Sequence, residues 1–185
     1  MKILRWFYTS FLIVLCFTVV NSYFKYQNFK SERLSPDKVY DSNIFLANLT
    51  ESERFAEIKC MADNIYYEAS NQPLIGKVAV AYVTLNRVED SDFKDSICGV
   101  VYEKSPNKNR TCQFSWTCQA KRFKPIRDAN VAVWKNCYDI AISVILNYNK
   151  HVDPTEGALF YHADWINPKW KREKIAQIEN HIFYK

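Results

Sequence analysis

An α+β domain, mainly helical with a small antiparallel sheet, is the fold this sequence predicts, and three observations predict it. Residues 51–69 and 74–88 place apolar side chains at helical spacing or on nearly every side. A third such stretch covers about 129–146. The C-terminal part then changes to short β-rich runs separated by a turn, an order that suits helices packed on a small sheet.

The first element is a targeting segment. The chain has 185 residues, enough for one domain plus appendages. Positions 6–24, Trp6 to Phe24, carry no charge and follow Lys2 and Arg5. A helix of that length spans roughly 28 Å, close to the hydrocarbon core of a bilayer. A cleaved signal peptide would place small residues before the cut, and this segment contains no Ala. The reading is an uncleaved signal anchor over 1–24, with a cleaved signal peptide as the alternative. Lys25, Lys30 and Arg33 follow the span, so charge does not fix its orientation. Residues 25–49 read as a polar linker and 50–185 as the globular domain.

The domain opens on Thr50 and Glu53, the spacing of a capping box. Phe55, Ile58, Ala62, Ile65 and Ala69 form a helical stripe over about 51–69, widened by Met61 and Tyr66. Leu74 to Val88 is apolar on most sides and reads as a central core helix. Ile97 to Tyr102 comes next, then a basic, loop-like stretch from Lys104 to Arg110. Cys112 to Cys118 reads as an ordered loop or hairpin. Asp128 is placed to cap a third long helix, whose core face holds Val133, Cys137, Ile140, Ala141, Val144 and Ile145. Gly157 to His162 reads as a strand and Pro168 with Trp170 as a turn. Ile175 to Tyr184 is a second strand, or a short helix followed by one.

Composition narrows the function. Hydrophobic residues make up 48% and aromatics 16%, enough for a buried core, and only three glycines are present, which argues against a Gly-rich phosphate loop. A net charge of +5 favours anionic phospholipid or cell-wall polymer and is too weak to suggest a nucleic-acid partner. Beyond the apolar span lie Cys60, Cys98, Cys112, Cys118 and Cys137, which favours disulfides in an oxidising compartment. Their number is odd, so one stays free or pairs elsewhere. Cys112 and Cys118, closing a short loop, are the favoured pair. Neither a CxxC nor an HExxH is present, so His151, His162 and His181 with Asp164 give no zinc-ligand spacing, and no metal or other cofactor is expected.

Glu68 is the candidate for chemistry. It ends the first helix in Asn64-Ile65-Tyr66-Tyr67-Glu68-Ala69 and shares a face with Met61, Asn64 and Ile65. A carboxyl beside an apolar stripe and two tyrosines loses water, which raises its pKa and suits a proton donor near neutral pH. The ordinary alternative is a surface Glu at a helix end, where a negative charge is mildly unfavourable.

Several blocks in order carry a resemblance. They are NIYYEA at 64–69, GKVAVAYVTLNRV at 76–88, ICGVVY at 97–102 and CQFSW at 112–116. Tyr161-His162-Ala163, Pro168-x-Trp170 and Asn180-His181-x-Phe183-Tyr184 complete the set. Over roughly 58–184 the chain resembles the SleB/CwlJ family of cell-wall hydrolases, which includes spore-cortex lytic enzymes. Two positions depart from the pattern. Ser70-Asn71-Gln72 fills a turn where a Gly often follows the catalytic Glu, and Glu179 stands where a Gly often precedes the Asn-His pair.

The resemblance implies a lysozyme-like, lytic-transglycosylase-like fold and one catalytic Glu, at the position of Glu68. The implied reaction is lytic transglycosylation of the β-1,4 bond between N-acetylmuramic acid and N-acetylglucosamine, with peptidoglycan glycan strands as the partner. One carboxyl serves as acid and then base, and the product is a 1,6-anhydro sugar. Gln113, Ser115 and Trp116 in one loop, with Tyr161, His162 and Asn167 in another, are the candidates for sugar binding. Trp170 lies beside the second group. Aromatic faces with amide and hydroxyl groups suit glycans, although core packing is the competing role for the aromatics. The alternatives are a hydrolytic muramidase using Asp63 or Asp164 as a second carboxylate, a zinc-dependent N-acetylmuramoyl-L-alanine amidase, and a wall-binding protein without activity. The expected location is outside the cytoplasm, anchored to the membrane by the N-terminal helix or secreted.

Overall fold

The computed structural model describes residues 43–104, 112–119 and 130–185. The expected anchor at 1–24, most of the linker, the stretch 105–110 and the capping role of Asp128 lie outside the described residues. Among those described, no helix is long and apolar enough to cross a membrane. The elements are α1 Glu51–Ala69, α2 Leu74–Glu89, α3 Ile97–Val101, α4 Ser115–Cys118, α5 Val131–Asn147, β1 Phe160–Ala163, β2 Lys174–Ile178 and β3 His181–Tyr184.

Helix α1 begins where the capping box places it. Thr50 Oγ1 accepts from Glu53 N, and the Glu53 carboxylate accepts from Thr50 N at 2.8 Å. Its stripe buries Ile58, Met61, Ala62, Ile65 and Ala69 against α2, α3 and α5. Phe55 and Val133, expected in the core, are instead exposed near the starts of α1 and α5. Phe55 keeps only a tilted ring contact with Tyr138. Residues 43–49, expected as the end of the linker, pack on the domain. Leu46 is fully buried, and Asn43 Nδ2 donates to Ile145 O at 2.7 Å. Burying one Leu is worth about 1.5–3 kcal/mol, enough to dock a short polar run.

Two disulfides form, Cys60–Cys98 and Cys112–Cys118, and Cys137 is free and buried. The first ties α1 to α3 across 38 residues. In the chain-entropy view such a loop closure contributes about 4 kcal/mol. Glu57 reinforces the joint, its carboxylate accepting from Cys98 N at 3.0 Å in the first turn of α3. The segment Cys112–Cys118, read as a loop or hairpin, holds the one-turn helix α4.

The sheet has strand order β1-β3-β2, all antiparallel. The C-terminal run thus resolves into two strands rather than a helix and a strand. Its inner face sets Tyr161, Ala176, Ile178 and Phe183 on Ala79 and Val83 of α2. On the other face His162 stacks on Tyr184 at 5.2 Å and meets the edge of Trp170. β1 starts at Phe160 rather than Gly157, because the Asp153 carboxylate folds 153–157 into a turn, accepting from Thr155 N and Gly157 N at 2.7 Å each.

Glu179 and Asn180 form the two-residue turn between β2 and β3, and Glu179 has φ +50°. Of the two, only Glu179 has a positive φ. That is the pattern of a type II′ hairpin turn, whose first central position favours Gly. The departure noted in the sequence therefore sits where the backbone is left-handed. A non-glycine residue there costs about 1–2 kcal/mol, partly offset by the entropy Gly loses on folding. Glu179→Gly should raise stability by about 0.5–1 kcal/mol in urea unfolding, with an unchanged m-value.

Candidate active site

The last two turns of α1 are tied down by polar contacts inside the core. Asn64 is fully buried, accepting from Trp116 Nε1 at 3.0 Å and donating to Thr84 Oγ1 at 3.1 Å. Thr84 in turn donates to Val80 O of its own helix at 3.0 Å. Every one of these groups is satisfied, so the network locks α1, α2 and α4 in one register. Tyr67 stacks on Trp116 with ring centroids 4.5 Å apart. One turn on from Asn64, Glu68 reaches the sheet.

Tyr161 Oη donates to Glu68 Oε2 at 3.1 Å. The tyrosine belongs to β1, with its ring against His181 at 5.1 Å and Phe183 at 5.6 Å. Burial pushes the Glu68 carboxyl above the usual carboxylate range, opposed by the Tyr161 hydrogen bond and by the Arg87 guanidinium. Tyr161 is itself held well above its ordinary value by burial and the neighbouring Glu68, so it stays a donor. Burial lowers Arg87 to about 10, which leaves it cationic near neutral pH. His181, buried with Nδ1 unpartnered, is held below its usual value by burial.

The expected site residues divide into three groups. Tyr161 meets Glu68 directly. Gln113 and Trp116 lie on the Cys112–Cys118 loop, which reaches α1 through Trp116, while Ser115 is exposed at the start of α4. Trp116 is 7% exposed and both its ring and its nitrogen are engaged, which makes it a structural side chain first. Gln113 N donates to Glu103 O, which closes that loop on the chain just after α3. His162 follows Tyr161 on the strand and therefore points to the opposite face, where its Nε2 pairs with Tyr184 Oη at 2.8 Å. Asn167 is exposed in the β1–β2 connection, its Oδ1 accepting from Lys169 N at 3.2 Å. The structure does not bring His162 or Asn167 to Glu68 through any contact.

Of the two carboxylates considered as partners, Asp63 is engaged by Lys59 Nζ at 2.6 Å and Trp134 Nε1 at 2.7 Å, and Asp164 is exposed. Among the described residues no group of three His, Cys, Asp or Glu side chains is placed to hold a metal ion. Sequence reasoning missed Arg87 and Thr84, and weighed His181 only as a metal ligand. The first two had a signal, a polar side chain within a helix otherwise apolar on most sides.

A family model described as Cell Wall Hydrolase matches residues 71–184, beginning three positions after Glu68. A spore cortex-lytic enzyme of Oceanobacillus iheyensis is 32% identical over 135 residues, 70% of this chain and 41% of that protein. One from Bacillus subtilis is 28% identical over 155 residues, 80% of this chain and 44% of that protein. The chain thus spans less than half the length of these curated relatives. Among solved structures, the catalytic domain of Bacillus cereus SleB is 29% identical with a TM-score of 0.52, covering 75% of this chain and 94% of that domain. The catalytic domain of the germination-specific lytic transglycosylase SleB from Bacillus anthracis is 28% identical with a TM-score of 0.51, covering 75% and 98%.

A carboxyl whose folded pKa is raised binds a proton more tightly in the native state than in the unfolded one. Stability is then lost as pH climbs above the ordinary value of 4.5 toward the native one, and stays lost beyond it. Glu68→Gln does not titrate and keeps an acceptor for Tyr161. Its melting temperature should exceed the wild-type value at neutral pH, and the gap should close as pH falls to 4. A gap that widens on acidification would refute the assignment of a raised pKa.

Proposed function

The chain belongs to the cell wall hydrolase family, and from that premise we propose that it cuts the glycan strands of peptidoglycan between N-acetylmuramic acid and N-acetylglucosamine as a lytic transglycosylase, with Glu68 as its acid and base. The observation that carries this reading is the Tyr161–Glu68 hydrogen bond, which holds a half-buried carboxyl at a helix end. Protonated Glu68 donates to the leaving glycosidic oxygen. The substrate's N-acetyl group steadies the oxocarbenium-like centre at C1. Glu68, now a carboxylate, takes the proton of the muramoyl C6 hydroxyl as that oxygen attacks C1. One acid–base group suffices because the nucleophile belongs to the substrate.

Most glycoside hydrolases use a second carboxylate beside the bond to be cut. Asp63 is a poor candidate, since both its oxygens are taken and it lies five residues from Glu68, on another side of α1. The name carried by the Bacillus anthracis relative favours the same reaction. For binding, Gln113 and Ser115 are the polar groups of the loop nearest to Trp116, and we assign them to the sugar. Tyr161 holds the acid. His162 would meet glycan only away from Glu68, on the other face of the sheet, and Asn167 would do so from the exposed β1–β2 connection. The two disulfides suit an oxidising compartment, and residues 1–24 would anchor the domain to the membrane with its catalytic part outside the cytoplasm.

Purified protein incubated with peptidoglycan should release muropeptides ending in 1,6-anhydro-muramic acid, read by mass spectrometry. Glu68→Gln should lower turnover by about 10²–10⁴-fold while the fold persists by circular dichroism. Reducing muramic ends would replace the transglycosylase by a hydrolase. Release of stem peptides would point to an amidase, and full turnover by Glu68→Gln would remove Glu68 from the reaction.

A further inference from the structure

We propose that Arg87 is a positioning residue for the Glu68–Tyr161 pair, fixing the start of β1 with one nitrogen and supplying a buried positive charge that lets Glu68 carry a negative one midway through the cycle. The inference rests on the reading of Glu68 as the acid–base group. Arg87 is 4% exposed in the last turn of α2. Its Nε donates to Leu159 O at 2.7 Å, two residues before Tyr161. Its Nη1 is buried without a hydrogen-bond partner, and no carboxylate among the described residues forms an ion pair with it.

Three aromatic rings surround the guanidinium. Its central carbon lies 5.0 Å from the Phe114 ring centroid, 5.2 Å from Phe93 and 5.7 Å from Phe160. Phe160 precedes Tyr161 in β1, and the Phe114 ring lies 6.5 Å from that of Tyr161. Aromatic faces attract a cation, but they return less than water or a carboxylate would. A residue needed only to brace Leu159 could do so without a charge. A buried cation beside the strand that forms no ion pair among the described residues is explained if the charge has a task.

The cycle supplies the task. Once Glu68 has given up its proton, it is a carboxylate where burial opposes charge, with one hydrogen bond from Tyr161. Arg87 offers the balancing charge without an ion pair that would hold Glu68 ionised at rest. The charged and titratable groups facing Arg87 are Glu68 from α1, Tyr161 from β1, Glu103 after α3 and Arg172 from the β1–β2 connection. Glu103 Oε2 is also buried without a partner, and Arg172 covers Phe160 at 3.4 Å.

The test is the pH profile of turnover on soluble glycan fragments, run with wild type, Arg87→Met, Arg87→Lys, Glu103→Gln and Glu68→Gln. Activity on the alkaline side falls as Glu68 loses its resting proton. Arg87→Met should move that limb up by about one pH unit and cut turnover at neutral pH about tenfold. Arg87→Lys keeps the charge and should leave the limb in place while turnover falls. If Arg87→Met does not fold, Glu103→Gln decides, because removing that negative charge should move the limb down. An unmoved limb in every folded variant, with turnover merely scaled, overturns the proposal and leaves Arg87 a structural brace. Full activity of Glu68→Gln would instead overturn the assignment of Glu68.

Discussion

Keeping one carboxyl group short of water, with a single hydroxyl for a partner, is the constraint that organises this domain. Glu68 at the end of α1 and Tyr161 on β1 come from segments 93 residues apart, and their bond is 3.1 Å long. Neither side chain gains from the arrangement unless both backbones are held. The Cys60–Cys98 bridge and the Asn64–Trp116–Thr84 network fix the helix. The Arg87–Leu159 bond and the packing of Phe183 on Ala79 and Val83 fix the strand. The site is thus a place where local instability is tolerated because its surroundings are over-determined.

Helix α2 does most of this holding. Leu74 and Ile75 at its start are exposed, residues 79–83 fill the centre, and its later turns carry one polar side chain for each neighbour. Thr84 serves α1 through Asn64. Asn86 donates to Asp153, Thr155 and the Ala158 carbonyl, and accepts from Tyr148 Oη at 2.7 Å. Arg87 serves β1. A helix buried on all sides can contact three elements at once, and these polar groups specify which element goes where.

Periodicity and capping chemistry made the helices legible. Thr50 with Glu53 gave the start of α1, and the apolar run gave α2 within a residue of its observed end. Glu68 was legible as a candidate because position on a helix face predicts lost water. Its partner was readable only as one aromatic among several, since no local rule says that residue 161 returns to residue 68. The same limit hid the difference between Tyr161 and His162. Both are polar aromatics in one strand, yet strand alternation sends one to the acid and the other to Tyr184. The docking of Leu46 was missed because a single apolar residue in a polar run has no period to detect. Glu179 before the Asn-His pair reads in the sequence only as a departure from the resembled pattern, and the backbone angle there gives it a physical cost.

Cys137 sits on the inner face of α5, buried and outside both bridges. Burial pushes its thiol pKa up, with Lys77 opposing. Thiolates, not thiols, exchange with disulfides, and only where a partner can approach. A nascent chain oxidised before its helices assemble therefore has a competitor for the correct pairings, whereas a chain whose α5 has already docked does not. Assembly of the apolar interior thereby acts as the proofreader of the crosslinks, and material oxidised too early would carry its errors as trapped, mispaired species.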